Sequence, residues 1–261
     1  LYYIAKGRNY YEEDLYITSK LKEDFNLLIA HPSQAIAFLE VADLVVFRNT
    51  GAVIGYQAYF DDFVREVKSR NILTFNSFDG KADMKGKQYL LDLTKDKYPV
   101  IPSIEKVEDL DKLQNPAQYI IKPKNGADSI GLEVIDRATL LTKKLYSHLI
   151  QPLIDFEYEV SFYYLNDTFQ YALYAPDKLK RWQLTTYKSS EDDLEFAQKF
   201  IDWNKMTRGI QRVDACRLKN GELLLVELED LNPFLSLDLL SEAQRNDFTH
   251  QFIKALKIAV N

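Results

Sequence analysis

The chain has 261 residues, 46% apolar and 28% charged, with 9 Gly and 8 Pro, a composition that excludes collagen-like, low-complexity and disordered classes and leaves room for two compact lobes or one multi-lobed unit. Its 33 basic against 39 acidic residues give a net charge of −6, so a sequence-independent attraction to nucleic acid has no global support. The most apolar stretch, residues 27–47, is interrupted by His31, Glu40 and Asp43 and cannot cross a bilayer as one clean span of about 20 residues.

In the first third, short apolar runs at residues 2–5, 27–30, 44–47 and 72–75 alternate with helical patterns near 12–23, 33–40 and 56–69. Strands separated by helices predict a small parallel sheet with crossovers. A polar break at residues 76–81 follows, then a helix near 85–94, a connector at 99–102 bounded by prolines, and strands at 119–123 and 132–135 around a turn-rich loop. These predict a small α+β lobe. Residues 149–165 read as a link running into a strand at 160–165, with 169–174 as its hairpin partner across Asn166-Asp167. Two more strands, 210–218 and 222–228, flank Asn220-Gly221, the strongest short hairpin signal in the chain. A helix over about 241–260 closes the sequence, with Phe248, Phe252, Ala255, Leu256 and Ile258 on one stripe. No internal repeat is present. The single cysteine, Cys216, has no intramolecular partner, and His31, His148 and His250 lack zinc-motif spacing. No basic and apolar leader follows Leu1. A soluble protein of a reducing, cytoplasmic compartment is expected.

If Asn220-Gly221 is a two-residue turn, the register pairs Leu218 with Leu223, Cys216 with Leu225, Asp214 with Glu227 and Arg212 with Glu229 on one face. Val213, Ala215, Leu224, Val226 and Leu228 then form the core face. Asp214 and Glu227 would sit about 4.5–5.5 Å apart at Cβ, where like charges repel unless neutralised. A hard cation would neutralise them: Mg²⁺ takes oxygen ligands, typically one or two carboxylates plus phosphates and waters. Glu229 lies one pleat along and Asn232 just beyond. A charged sheet face with an exposed Arg212–Glu229 pair fits the same register, and the hairpin alone leaves both readings open.

Neither a P-loop nor a G-x-G-x-x-G string occurs. Instead Ile120-Ile121-Lys122-Pro123 runs into the small-residue loop 125–131, which contains Gly126, Ala127, Asp128 and Ser129 and leads into a second strand. Backbone N–H groups of such a loop can close over phosphate oxygens, with Lys122 as a point charge; an ordinary hairpin loop is the competing description. The near match Ala127-x-Ser129-x-Gly131 to a nucleophile elbow fails because a strand, not a helix, follows.

Taken in order, these elements over residues 80–240 resemble the ATP-grasp superfamily of carboxylate–amine ligases. The resemblance implies an α+β ATP-grasp fold: an N-terminal α/β lobe (1–80), a small central lid lobe (81–150) and a C-terminal antiparallel-sheet lobe with the metal site (151–261). It implies ATP and Mg²⁺ (or Mn²⁺) as cofactors and small carboxylate and amine substrates as partners, with neither nucleic acid nor membrane; dimers are common among relatives. Residue by residue, Lys87, with Lys85 as its rival, resembles the first ATP-contacting lysine and Lys122 the second. The loop from Asn125 to Gly131 resembles the phosphate-covering loop, and Gln151-Pro152-Leu153-Ile154 the linker whose backbone meets adenine. Glu159, with Glu157 as its rival, resembles the ribose-binding acid. Asp214 and Glu227 resemble the magnesium ligands and Arg212 the arginine near the transferred phosphoryl group. Many relatives read Glu-x-Asn where this chain reads Glu227-Leu228-Glu229, followed by Asn232-Pro233. That variant is similar to a subgroup that includes a cycloserine-biosynthesis ligase, which makes Glu229 the third ligand ahead of Asn232. Arg181, with Lys178 and Trp182, falls on a loop that is either a substrate contact or a solvated basic segment. Arg48 and Asn49, at the end of a parallel strand, suit a substrate carboxylate. An ATP-dependent ligase acting through an acyl phosphate is the implied activity; a phosphotransferase acting on a hydroxyl and a non-catalytic nucleotide-binding module are the alternatives.

Overall fold

The structure is a computed structural model that describes residues 4–5, 8–48, 53–126 and 131–261. The chain opens with β1 (Ile4–Ala5) and β2 (Arg8–Asn9), which pair antiparallel, and α1 (Tyr10–Leu21), capped by the Asn9 side chain. Next, β3 (Val45–Val46), α2 (Gln57–Ser69) and β4 (Thr74–Phe75) form a βαβ unit whose strands pair in parallel. The parallel sheet expected here is therefore present in outline but only two residues deep.

The strand expected at 27–30 is absent: Leu27, Leu28 and Ile29 are exposed and carry no ladder. Its expected neighbour β1 pairs with β2 instead, and Pro32, which lacks an N–H and restricts the residue before it, opens a 3-10 turn over Pro32–Phe38 where an α-helix was expected.

A small lobe follows: α3 (Gln88–Lys95), β5 (Tyr119–Pro123), β6 (Glu133–Ile135), α4 (Arg137–Thr142) and β7 (His148–Pro152), with the strands in the antiparallel order β6-β5-β7. Tyr119, Ile121, Leu140 and Ile150 pack its core with Leu110 and Leu113. The larger sheet contains β8 (Phe156–Leu165), β9 (Thr168–Ala175), β10 (Thr185–Thr186), β11 (Ile210–Leu218) and β12 (Leu223–Glu229), in the order β10-β9-β8-β11-β12 with every neighbouring pair antiparallel. Helices α5 (Glu191–Asn204) and α6 (Glu242–Val260) complete the chain. Among the described residues no helix is long and apolar enough to cross a membrane.

The two faces of the large sheet are covered differently, as strand alternation requires. Val160, Phe162, Val213 and Ala215 meet Tyr89, Leu90 and Leu93 of α3 and Phe196, Phe200 and Ile201 of α5. On the other face Tyr163, Leu165, Tyr171 and Leu173 meet Ile17 and Leu21 of α1 and Phe248, Phe252 and Leu256 of α6. That second face changes character along the strands: apolar beneath α1 and α6, it becomes polar at Ser161, Arg212 and Asp214, where the site lies.

The segment from Pro99 to Ile104, expected as a mere connector, joins the two sheets. Leu225 N–H donates to Pro99 O (2.8 Å) and Ile101 N–H to Leu225 O (3.1 Å), while Ile104 and Ile150 exchange bonds of 3.0 and 2.9 Å. One strip of backbone thus edges β12 at one end and β7 at the other. The N-terminal part is fastened by Glu13, buried on α1, which accepts the amides of Leu235 (3.0 Å) and Leu237 (3.2 Å) and pairs with Arg48 at 2.8 Å. Replacing Glu13 by Ala leaves a buried guanidinium without this carboxylate and two amides without acceptors, a class of change worth about 3–5 kcal/mol. Urea denaturation of Glu13→Ala should show a loss of that order, and a loss under about 1 kcal/mol would contradict this role.

Candidate active site

The site is built on the β11–β12 hairpin, and its register departs from expectation in an instructive way. Leu218 pairs with Glu222 through the bond from Leu218 N–H to Glu222 O (2.8 Å), so the turn is one residue longer than a two-residue loop, with Gly221 at φ +88°. A β-bulge between Asp214 and Ala215 then restores the pairing, so that Asp214 faces Glu227 and Arg212 faces Glu229 as expected. Between turn and bulge the faces are exchanged. Leu223 and Leu225 enter the core, whereas Leu224 and Val226, expected there, are only half-buried.

One oxygen from each of Asp214, Glu227 and Glu229 lies within 4.8 Å of the others. Arg212 bonds to both oxygens of Asp214 (2.8 Å each) and to Glu229 (2.5 Å), and its Nη1 donates to Phe234 O (3.1 Å). Ser161, opposite Asp214 on β8, donates to its Oδ1 (2.6 Å). Lys87 forms ion pairs with Glu227 and, at 3.0 Å, with Asp83.

The charges respond to these contacts. Burial works to raise Glu227, but Lys87 and Lys122 prevail and hold it down at about 2. Burial pushes Glu229 up to about 8 against the pull of Arg212, with Asp214 and Glu227 adding to the rise. Burial works to lower Lys87, but Glu227 and Asp83 keep it above the ordinary lysine value.

Lys87 directly precedes α3, and its placement depends on Gly86. That residue has φ +76°, and a Cβ there would lie 2.6 Å from Asn125 Oδ1 and 3.1 Å from Lys124 O. This close approach lets Lys87 N–H donate to Lys124 O (2.8 Å), docking the start of α3 on the loop after β5. Lys85, the rival, is exposed. Lys122 stands on β5 within electrostatic reach of Glu227, Lys87 and Asp83; burial lowers its pKa to about 8. Gly126 N–H donates to Pro123 O (3.2 Å); Ala127, Asp128 and Ser129 lie outside the described residues.

Of the linker, Gln151 and Pro152 end β7. The Gln151 side chain is buried and donates to Ser103 Oγ (2.8 Å). Leu153 N–H already donates to Gln118 O (2.9 Å), and Ile154 follows, half-buried. Glu159 accepts from Arg181 Nε at 2.7 Å, while its rival Glu157 is exposed. Arg181 thereby reaches the rim of the site; Trp182 beside it is half exposed, and Lys178 is tied to Asp155 at 2.5 Å. Arg48 is held by Pro233 and Glu13. Its Nη1 donates to Pro233 O (2.7 Å) and its Nη2 to Glu13 (2.8 Å). Asn49 lies outside the described residues.

Sequence reasoning passed over Asp83, Ser161 and Ser103. Asp83 stands four residues before Lys87, a spacing that brings side chains together over a helical turn, so it was available to pattern reading. Ser161 and Ser103 act only through β8–β11 pairing and the connector's course, which no local pattern shows.

The three-stranded lobe beside the five-stranded antiparallel sheet is the arrangement of the ATP-grasp fold, which this chain shares with solved structures. D-cycloserine synthetase DcsG shares the architecture at TM-score 0.73 and 18% identity, covering 96% of this chain and 95% of its own. D-alanine–D-alanine ligase from Bacillus anthracis complexed with ATP is similar at 0.64 and 12% identity, covering 99% and 96%. The ATP-grasp ligase PsnB complexed with minimal precursor is similar at 0.62 and 14% identity, covering 95% and 96%. No family model and no curated protein matches the sequence.

The lowered Lys122 gives a pH dependence of known sign. A polyphosphate seated beside it favours the ammonium form and raises its pKa. Below about pH 8 the group is charged with or without ligand, and above that binding draws in a proton and weakens as pH rises, by at most tenfold per unit. ATP titrations at pH 9 in buffers of different ionisation enthalpy should register this uptake. Its absence, with binding intact, would place Lys122 away from the phosphates.

Proposed function

We propose that the chain is an ATP-dependent ligase that joins a small carboxylate to an amine through an acyl phosphate, with ATP between the three-stranded and five-stranded sheets. The observation that carries this reading is the convergence of Asp214, Glu227 and Glu229 within 4.8 Å on one sheet face, with Arg212 and Lys87 bonded among them. An all-oxygen carboxylate set suits Mg²⁺ (or Mn²⁺), which prefers hard oxygen ligands and shares them with phosphates and water. When bound, the ion would draw charge from the phosphate oxygens.

The chain's own residues supply the rest. Lys87 exchanges its carboxylate partners for phosphate oxygens, and Lys122 meets the same group from β5. Gly126 with Ala127, Asp128 and Ser129 closes over the phosphates and keeps water from the reacting atoms. The backbone of Gln151, Pro152, Leu153 and Ile154 borders adenine; because Leu153 N–H already serves Gln118 O, Ile154 is the preferred amide donor. Glu159 accepts the ribose hydroxyls after releasing Arg181.

The substrate carboxylate bonds to the γ-phosphorus as ADP leaves. The amine nitrogen then bonds to the acyl carbon, phosphate departs with the C–O bonding pair, and the nitrogen gives up its proton to solvent. Arg212 stabilises the oxyanion that develops in this second step. Positioning and electrostatics therefore suffice, and no protein nucleophile is required.

Arg48 and Arg181 are the candidate substrate contacts, each needing to exchange a carboxylate, Glu13 or Glu159, for the ligand's. The proposed division is an N-terminal domain over 1–80, a lid over 81–150 and a metal-bearing unit over 151–261, in a cytoplasmic enzyme that acts alone or as a homodimer. The likeness to the D-cycloserine and D-alanine–D-alanine enzymes supports this reading.

An ADP-release screen over paired carboxylates and amines tests it. On the productive pair, orthophosphate should equal ADP, and Asp214→Asn should lower turnover by roughly 10²–10³, the order associated with lost transition-state charge stabilisation. Phosphate retained on the product would instead identify a phosphotransferase. Unchanged turnover in Asp214→Asn would remove the metal assignment.

A further inference from the structure

One buried carboxylate beside the site takes no part in the chemistry described above. Asp230, one residue past β12, is fully buried. Its Oδ1 accepts Met84 N–H (2.8 Å), and its Oδ2 accepts Ala82 N–H (3.0 Å) and Asn204 Nδ2 (3.1 Å). The two amides bracket Asp83, and the 3-10 turn Asp83–Lys85 and Gly86 then lead to Lys87. Among the described residues no lysine or arginine is bonded to it.

The surrounding groups hold this arrangement from every side. Asn204 Nδ2 also donates to Gln211 (2.8 Å), and its Oδ1 accepts Lys81 N–H (2.6 Å). Asn76 Nδ2 donates to the backbone carbonyl of Asp230 (2.8 Å) and to Ile210 O (2.6 Å). Gly80 passes so close that a Cβ there would collide with Asp230 Oδ2. A buried charge is unfavourable without strong compensation, yet an amide in its place would offer only one acceptor atom. A carboxylate alone presents acceptors at both tips, which two alternate amides of an approaching loop require.

We propose that Asp230 is a positioning residue for nucleotide binding: by gripping the amides on either side of Asp83 it fixes the Asp83–Lys87 pair against Glu227. The Asp230 side chain thereby helps to hold the phosphate-facing lysine in register with the metal-facing strand. This rests on the reading of Lys87 as a phosphate ligand given above.

The test compares wild type, Asp230→Asn and Gly80→Ala in two measurements on the full chain. One is Mg·ATP binding by calorimetry. The other, made without nucleotide, is the acylation rate of Lys87 by acetic anhydride, read by peptide mass spectrometry against exposed Lys112. Asp230→Asn turns an acceptor into a donor facing an N–H, and Gly80→Ala displaces the same loop with the carboxyl group retained. Each should weaken Mg·ATP binding at least tenfold and acylate Lys87 several-fold faster, with Lys112 unchanged and the variant still folded by circular dichroism at the assay temperature. A folded variant with wild-type binding and wild-type Lys87 reactivity overturns the proposal. Should neither variant fold, hydrogen exchange of the unaltered chain decides: Ala82 and Met84 amides should exchange as slowly as core strand amides, and exchange at the rate of exposed loops overturns it. Wild type that fails to bind Mg·ATP defeats the nucleotide reading instead, and the Lys87 reactivity then still reports whether Asp230 positions the lysine.

Discussion

Three carboxylates held within 4.8 Å of one another are the constraint on which the rest of the site depends. At about 4 Å and an effective dielectric near 20, an ionised pair among them carries roughly 4 kcal/mol of repulsion, and burial together with that repulsion pushes Glu229 up to about 8. Arg212 and Lys87 relieve it from opposite ends, the first through Asp214 and Glu229, the second through Glu227. The same two cations are those a phosphorylated ligand would recruit. On the function proposed above, binding would exchange partners among charges already in place, keeping the reorganisation small at the step where charge develops.

That constraint explains why the site sits where two sheets meet. Arg212 and all three carboxylates come from one hairpin, whereas Lys87 comes from the turn before α3 and Lys122 from β5. Their mutual placement is set by backbone: Lys87 N–H on Lys124 O ties α3 to the small lobe, and the strip from Pro99 to Ile104 hydrogen-bonds to β12 and β7 in turn. A lobe motion about this strip would change the distance from Lys122 to the carboxylates while leaving the hairpin intact.

The C-terminal two thirds were legible in the sequence because their signals are local. Residues 119–123 and 210–218 match β5 and β11 at both ends, and Asn166, in the left-handed conformation at φ 56°, makes the expected turn between β8 and β9. The pairing of Asp214 with Glu227 was anticipated through a turn one residue too short, and it is correct because the bulge supplies the missing residue. α5 went unpredicted although Ser190 and Asp193 form a capping box and Phe196, Ala197, Phe200 and Ile201 repeat at helical spacing. The first third was least legible. An apolar run such as Leu27-Leu28-Ile29 states only that a strand is compatible, and whether one forms depends on a partner contributed from elsewhere in the chain.

A further regularity lies beyond any local pattern. Strand amides find acceptors in ladders, but the loops that carry functional groups have none, and a buried N–H without an acceptor is unfavourable. The chain meets this need repeatedly with buried carboxylates placed at loop crossings. Glu13 serves the amides of Leu235 and Leu237, beside the Phe234 carbonyl that steadies Arg212. Asp230 serves those of Ala82 and Met84, beside Asp83 and Lys87. Each is separated from the amides it serves by well over a hundred residues in sequence, so its role becomes visible only when the chain is folded. Acidic residues at such crossings supply loop amides with the acceptors that a strand finds in its ladder.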